Sequence, residues 1–123
     1  MPGSSRLGQR VDGLELSAEQ RGDDFVVTVA GDLDIVTSPA LDECLKTAQV
    51  TGSRVVLDLS GVDFMDTSAL AVIVGHWKRL EAAGGSLALA GARYRYTKTL
   101  WITGLADRLS LYDSVEAALT AGR

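Results

Sequence analysis

Between Arg54 and Ala90 the chain reads as strand, helix, strand, joined by segments too short for anything but a crossover. Arg54 to Leu59 (RVVLDL) is apolar enough to lie inside a sheet. Phe64 to Leu80 (FMDTSALAVIVGHWKRL) ends a strand-like run, turns through Asp66-Thr67-Ser68, and enters a helix. In that helix Leu70, Ile73, Val74, Trp77 and Leu80 follow the three-and-four spacing of a buried stripe. Gly84-Gly85 stops it, and Ser86 to Ala90 (SLALA) reads as the next strand. A strand-helix-strand unit of this kind implies two parallel strands bridged by the helix.

The flanks extend the same alternation. Met1 to about Gly13 is rich in Gly, Ser and charge and reads as a loose tail, so the domain is expected over residues 14–120. Leu14, Leu16 and Ala18 alternate with Glu15, Ser17 and Glu19, the period of a half-buried strand. Arg21-Gly22-Asp23-Asp24 is turn chemistry, and Phe25 to Ala30 reads as the antiparallel partner. Ser38-Pro39 opens a helix, the hydroxyl as cap and the proline at the first helical position, with Leu41, Cys44, Leu45 and Ala48 as its buried stripe and Thr51-Gly52-Ser53 as its end. Tyr94 to about Ile102 predicts a third helix closed by Gly104, with Tyr96, Leu100 and Trp101 in core or groove packing. Leu109 to Tyr112 reads as a short last strand. Asp113 with Glu116 is a capping-box pattern ahead of a helix through Val115, Ala118 and Leu119. The expected fold is therefore α/β: one domain with a mixed sheet of about five strands, an N-terminal antiparallel pair and a largely parallel remainder, and about four helices.

Composition closes off several functions. At 123 residues the chain suits one compact domain. Its net charge of −4 argues against binding a nucleic-acid backbone, which needs a concentrated positive field. Arg93, Arg95 and Lys98 do fall close together, and read as a solvated helix face. One cysteine, Cys44, allows no internal disulfide and no cysteine metal cluster. Nothing reaches the roughly 18 apolar residues of a membrane span, and the opening MPGSSRLGQR has no apolar secretory core, so a soluble cytoplasmic protein without membrane insertion is expected.

Few residues carry candidate chemistry. Thr67 and Ser68 sit at a helix entrance, where the first backbone N–H groups have no intrahelical partner. A hydroxyl there either caps the helix or offers an exposed site for phosphate, whose charge a helix N-terminus tolerates. Gly31-Asp32-Leu33-Asp34 ends a strand with two carboxylates, as a polar exit or as an acidic lip beside a functional site. His76, the lone histidine, is expected on the exposed helix face away from the apolar stripe, with no second ligand for a metal. No Gly-x-Ser-x-Gly elbow and no glycine-rich phosphate loop occurs, so no enzyme and no cofactor is expected. A receiver domain would need an acidic pair after its strand and a lysine after a late one. Here Asp58 lies near a strand end, but Asp23-Asp24 precedes its strand and Lys98 falls inside a helix.

GDLD at 31–34, VVLDLSGVDFMDTSALAVIVGHWKRLEAAGG at 55–85 and ITGLADRLSLYDSVEAAL at 102–119 together resemble the STAS domain, specifically the bacterial anti-sigma factor antagonists. The resemblance runs from about Leu14 to Leu119 and is most specific in Val-Asp-Phe-Met-Asp followed by two hydroxyls, a small residue and Leu. It implies a partner switch. The antagonist binds an anti-sigma factor, a serine/threonine kinase of histidine-kinase-like ATPase fold, and so frees a sigma factor. Phosphorylation of the hydroxyl after the motif aspartate ends binding, and a PP2C-type phosphatase restores it. Carried onto this chain, the acceptor is Thr67, preceded by Asp66, with Ser68 as the neighbouring hydroxyl. Asp34 matches the acidic residue near the phosphosite, with Asp32 beside it. Members of this family commonly have serine at the acceptor and glycine in place of Ala69, so an Ala69 methyl is expected to crowd the kinase's approach. The docking surface is expected to take in Ala69, Val72, Gly75, His76 and Arg79, on a monomer or weak dimer. Rival readings are a STAS subunit of a lipid-transport ABC complex that binds its ATPase, a STAS interaction module that is never phosphorylated, and a module for a nucleotide or other small ligand.

Overall fold

The computed structural model describes residues 7–11, 13–51, 54–102, 104 and 109–121. Along them run β1 (Leu7–Val11), β2 (Leu14–Arg21), β3 (Asp24–Leu33), α1 (Ser38–Thr51), β4 (Arg54–Met65), α2 (Thr67–Ala82), β5 (Ser86–Ala90), α3 (Tyr94–Ile102), β6 (Ser110–Tyr112) and α4 (Val115–Ala121). The strands form one sheet in chain order. β1, β2 and β3 are antiparallel neighbours, and β3 through β6 are parallel. Each parallel step is taken by one helix, which is the crossover that the strand-helix-strand reading requires.

The expected α/β fold and four helices are present, with one more strand than expected. Leu7–Val11, read as part of a loose tail, is a strand paired with β2 from Leu7↔Ala18 to Val11↔Leu14. Its sequence, LGQRV, has no apolar alternation, because an edge strand is held by backbone bonds to one neighbour. Residues 1–6 of that tail, and Gly52-Ser53 at the predicted end of α1, lie outside the described residues, as do the side chains of Leu100 and Trp101.

The period of two sorts the sheet into two faces. Phe25, Val27, Val29, Val55, Leu57, Leu59, Leu87 and Leu89 point to the larger core, shared with Leu41 and Leu45 of α1 and with Ile73, Trp77 and Leu80 of α2. Val26, Val56, Ala88 and Ala90 point the other way, under Ala118 and Leu119 of α4. Burial on both faces explains why these strands read as continuous apolar runs. Arg54 fastens the second layer: its guanidinium donates to the buried Asp24 carboxylate at 2.7 Å and to the Ala118 carbonyl at 2.5 Å.

β4 continues six residues beyond the Leu59 end expected from its apolar run. Against β3 its offset grows from 30 at Thr28↔Asp58 to 32 at Leu33↔Met65, so β4 absorbs two extra residues as bulges. Asp58 steadies the first bulge by accepting from Ser60 N at 3.0 Å and Ser60 Oγ at 2.7 Å. After both bulges Met65 is again buried and Asp66 emerges at the carboxyl end of the strand.

Helix ends differ from the sequence reading in two places. Ser38 is the first helical residue and donates to the Asp34 carbonyl at 2.7 Å, so it does not act as a cap. Ahead of α4 the cap is Ser114, whose Oγ accepts from Ala117 N at 3.1 Å, in place of the Asp113 pattern. The stop of α2 is as expected. Gly84 takes φ +86, and Gly84 N and Gly85 N close on the carbonyls of Glu81 and Leu80 at 3.1 and 2.7 Å, a Schellman ending.

Candidate functional site

The parallel strands β3 and β4 end side by side, and the chain leaves them through two turns that touch. Asp66 N donates to the Leu33 carbonyl at 3.0 Å, which ties the start of α2 to the end of β3. Across this joint the Ser38 and Ser68 hydroxyl oxygens lie 3.1 Å apart, linking the first turns of α1 and α2. The acidic string GDLD therefore stands beside the α2 entrance. Asp34 turns its own loop: Oδ1 accepts from Val36 N at 2.9 Å and Thr37 N at 3.0 Å. Asp32 is exposed one step earlier, opposite Phe64 of β4.

Asp66 caps α2. Its extended backbone (φ −108, ψ −177) turns the carboxylate onto Ser68 N at 2.9 Å and Ala69 N at 3.4 Å. Ser68 Oγ donates to the same oxygen. That hydroxyl bond, with the backbone donors of Ser68, Ala69 and Ile35, holds the Asp66 carboxyl below the usual carboxylate range against some desolvation. The first turn is thus saturated by an aspartate and a serine. Thr67, between them, is exposed, and its hydroxyl bonds to no described residue. Of the two uses open to a hydroxyl here, Thr67 does not perform the capping one. Ser68 is half-buried and engaged with Asp66 and Ser38.

The rest of the expected surface separates into residues that face outward and residues that do not. Two expectations are corrected. Ala69 is fully buried, because the small residue of the motif falls on the core side of the first helical turn, so its methyl crowds no approach to Thr67. His76, expected on the outer face, is also fully buried. It lies between α2 and α1, where Nε2 meets Asp42 Oδ1 at 2.6 Å. Burial pushes the imidazole below its usual range, and the bond to His76 lowers Asp42. A neutral ring giving its Nε2–H to an ionised carboxylate satisfies both. Val72 is half-buried against the core. Gly75 is half-buried, and among the described residues an added Cβ would meet only Arg79 Nη2, at 3.8 Å. Arg79 is exposed and stands 4.0 Å from Asp42.

From Thr67 the outward stripe of α2 passes through exposed Ala71, half-buried Gly75 and exposed Lys78. Sequence reasoning also missed the exposed apolar residues near the α2 entrance. Ile35 and Val36, on the loop held by Asp34 and Asp66, are 75% and 62% exposed, and Phe64 is 47% exposed. The signal was present: Ile35-Val36 falls between the acidic string and the α1 start, in no periodic segment that would bury it.

No helix among the described residues is long and apolar enough to cross a membrane, and no group of three or more His, Cys, Asp or Glu among them could hold a metal.

Comparison with known proteins matches both the sequence and the fold. Residues 15–118 match the STAS domain. The anti-sigma-B factor antagonist of Bacillus subtilis is 32% identical over 106 residues, covering 86% of this chain and 97% of that protein. The anti-sigma F factor antagonist of Paenibacillus polymyxa is 31% identical over 111 residues, covering 87% and 93%. In three dimensions, the crystal structure of an anti-sigma factor antagonist from Mycobacterium paratuberculosis superposes with a TM-score of 0.80 at 25% identity, over 92% of this chain and 97% of that one. By this family match and these relatives, the chain belongs to the STAS-domain family of anti-sigma factor antagonists.

Proposed function

We propose that this protein works as a partner switch: unphosphorylated, it binds an anti-sigma factor kinase and so frees a sigma factor, and phosphate on Thr67 ends that binding. One observation carries the choice of residue. Asp66 caps α2, Ser68 braces it, and Thr67 projects to solvent with its hydroxyl unengaged. In the transfer, Thr67 Oγ1 attacks the γ-phosphorus of ATP, the bond to the β–γ bridging oxygen breaks, ADP leaves, and the hydroxyl proton passes to a base on the kinase. Hydrolysis of the phosphothreonine by a PP2C-type phosphatase releases inorganic phosphate and restores the hydroxyl.

The switch needs no rearrangement of the domain. A phosphate brings about −1.5 to −2 charge to a helix N-terminus, which favours anions. The cost falls at the interface. Two unit charges roughly 5 Å apart at an effective dielectric of about 20 repel by about 3 kcal/mol. A hundredfold loss of affinity takes only about 2.7 kcal/mol. One partner carboxylate opposite Thr67, or the bulk of the phosphoryl group against a close-fitting surface, is sufficient.

The test is intact-mass analysis after incubation with the candidate anti-sigma kinase and ATP, followed by peptide mapping across Phe64–Lys78. A single phosphate on Thr67 is expected. Thr67→Asp is expected to lose the partner, and Thr67→Ala to bind it and stay bound in ATP. If both variants bind as the parent does, Thr67 is not the switch.

A further inference from the structure

We propose that the outer face of α3 is a second docking surface, built for an acidic stretch of the same anti-sigma partner; this rests on the partner-switch reading above. The described cations of this acidic chain divide unevenly. Arg21, Lys46, Arg54 and Arg79 each stand within 4.0 Å of a carboxylate oxygen. Arg93, Arg95 and Lys98 do not, nor does Lys78 of α2, so three of the four unpaired cations among the described side chains fall in or beside α3, although the chain carries 16 acidic residues against 12 basic ones. Arg93 spends one donor on the Val62 carbonyl at 3.0 Å, Arg95 lies 4.9 Å from the Tyr96 ring centroid, and all three cations are exposed.

A solvated face would be expected to carry polar neighbours. Instead, Tyr94 and Ile102 flank these cations at 66% and 80% exposure. Tyr94, Lys98 and Ile102 fall at successive four-residue steps, so they share one stripe with Arg95 alongside. Tyrosine and arginine are the side chains that most often anchor protein interfaces. The opposing surface must therefore offer carboxylates between two apolar contacts. An acidic protein segment meets that description better than a membrane, because the net charge of −4 opposes an anionic bilayer.

The position of α3 joins this face to the Thr67 site. Tyr96 Oη donates to the Asp63 carbonyl at 2.6 Å and Arg93 holds Val62, so α3 is pinned to β4 immediately before Phe64 and the α2 cap. A partner spanning Thr67 and α3 would meet the acidic lip at one end and the cations at the other, and could dock in one orientation only.

Binding of the purified anti-sigma partner is to be measured at low and high salt for the parent, Arg95→Glu/Lys98→Glu, and Arg21→Glu/Lys46→Glu. The last pair makes the same change in net charge at two exposed cations on β2 and α1, outside α3 and the Thr67 turn. The α3 pair is expected to lose at least tenfold in affinity at low salt, with the loss shrinking as salt rises, while the control stays within about twofold. Equal losses in both pairs would mean general charge repulsion and overturn the proposal, as would unchanged binding by the α3 pair. If Thr67→Asp still abolishes binding in that case, the partner switch stands without α3. If the parent itself fails to bind, the functional reading fails first. Phosphatidylglycerol vesicles form a separate arm, and sedimentation with them that the α3 pair abolishes would assign the face to lipid and overturn the protein proposal.

Discussion

Removing the Asp66 carboxylate and removing the Thr67 hydroxyl are expected to have opposite consequences, although the two residues are adjacent. Asp66→Ala deletes the acceptor of Ser68 N, Ala69 N and the Ser68 hydroxyl. Loss of a capping side chain costs about 1 kcal/mol. Removing the charged acceptor of the half-buried Ser68 hydroxyl, which keeps only its contact with Ser38, adds roughly 1.5 kcal/mol. The sum, about 2–3 kcal/mol, corresponds to a fall in melting temperature of roughly 8–15 °C for a domain of this size. Thr67→Ala breaks no protein hydrogen bond, and alanine is the better helix former, so its stability should stay within about 0.5 kcal/mol of the parent. The assay is urea unfolding followed by tryptophan fluorescence and far-UV circular dichroism, at pH 7 and again between pH 5 and 3. The carboxyl of Asp66 is held below its ordinary value of 3.8, so its contribution is complete above that pH and is lost as pH falls through the lowered value. Asp66→Asn should therefore flatten the acid limb as well as lower stability at neutral pH. If Thr67→Ala destabilises as much as Asp66→Ala, threonine is performing the capping, and the choice of Thr67 as the free acceptor is wrong.

Other outcomes follow from single contacts. The buried His76 ring has its pKa depressed below 6.5, so stability should be complete above about pH 6.5 and fall below it by at most about 1.4 kcal/mol per pH unit; His76→Gln should remove that slope in an unfolding-versus-pH series. Asp24→Ala leaves the Arg54 guanidinium without its buried partner and should cost roughly 3 kcal/mol in the same urea assay. Gly31→Ala should destabilise by more than about 2 kcal/mol, since at φ +108 its Cβ would lie 2.3 Å from the Gly13 carbonyl oxygen. Gly75→Ala, in a helix with open space above it, should gain about 0.5–1 kcal/mol, and a tenfold weaker partner affinity in the same variant would place the docking lane over α2.

What the sequence revealed and what it hid have a common cause. The central strands and α2 were legible because each is dominated by one periodic requirement, and the resulting rows, such as Val26↔Val56↔Ala88, bury both faces of the sheet. β1 was illegible because LGQRV, paired along the sheet edge to β2, shows no apolar alternation. His76 was misplaced for a related reason. A stripe drawn through Leu70, Ile73 and Trp77 treats α2 as a helix on a sheet, whereas α1 lies along its flank and turns a second side of it inward. A polar residue then enters the interior only because α1 brings Asp42 to meet it. Ala69 follows the same logic, since the first turn of α2 is already clamped against β3.

A reversible switch on a folded domain must change what a partner meets without changing whether the domain stands. In a one-residue design the same hydroxyl would cap the helix and accept the phosphate, and each modification would then draw on stability. Here the duties are divided among three consecutive residues. Asp66 satisfies the first amides, Ser68 turns inward to brace Asp66 and meet α1, and Thr67 keeps only the exposed position. The same division holds the neighbouring loop, because the Asp66 carboxylate accepts from Ile35 while Asp34 turns Val36 and Thr37. Ile35 and Val36 are thereby presented on a fixed loop, and apolar anchors that need no ordering on contact leave more of the interface energy for discrimination. On the proposed switch, a phosphate added at Thr67 would therefore act at the interface, at the end of two strands whose bulges and hydrogen bonds already set its position.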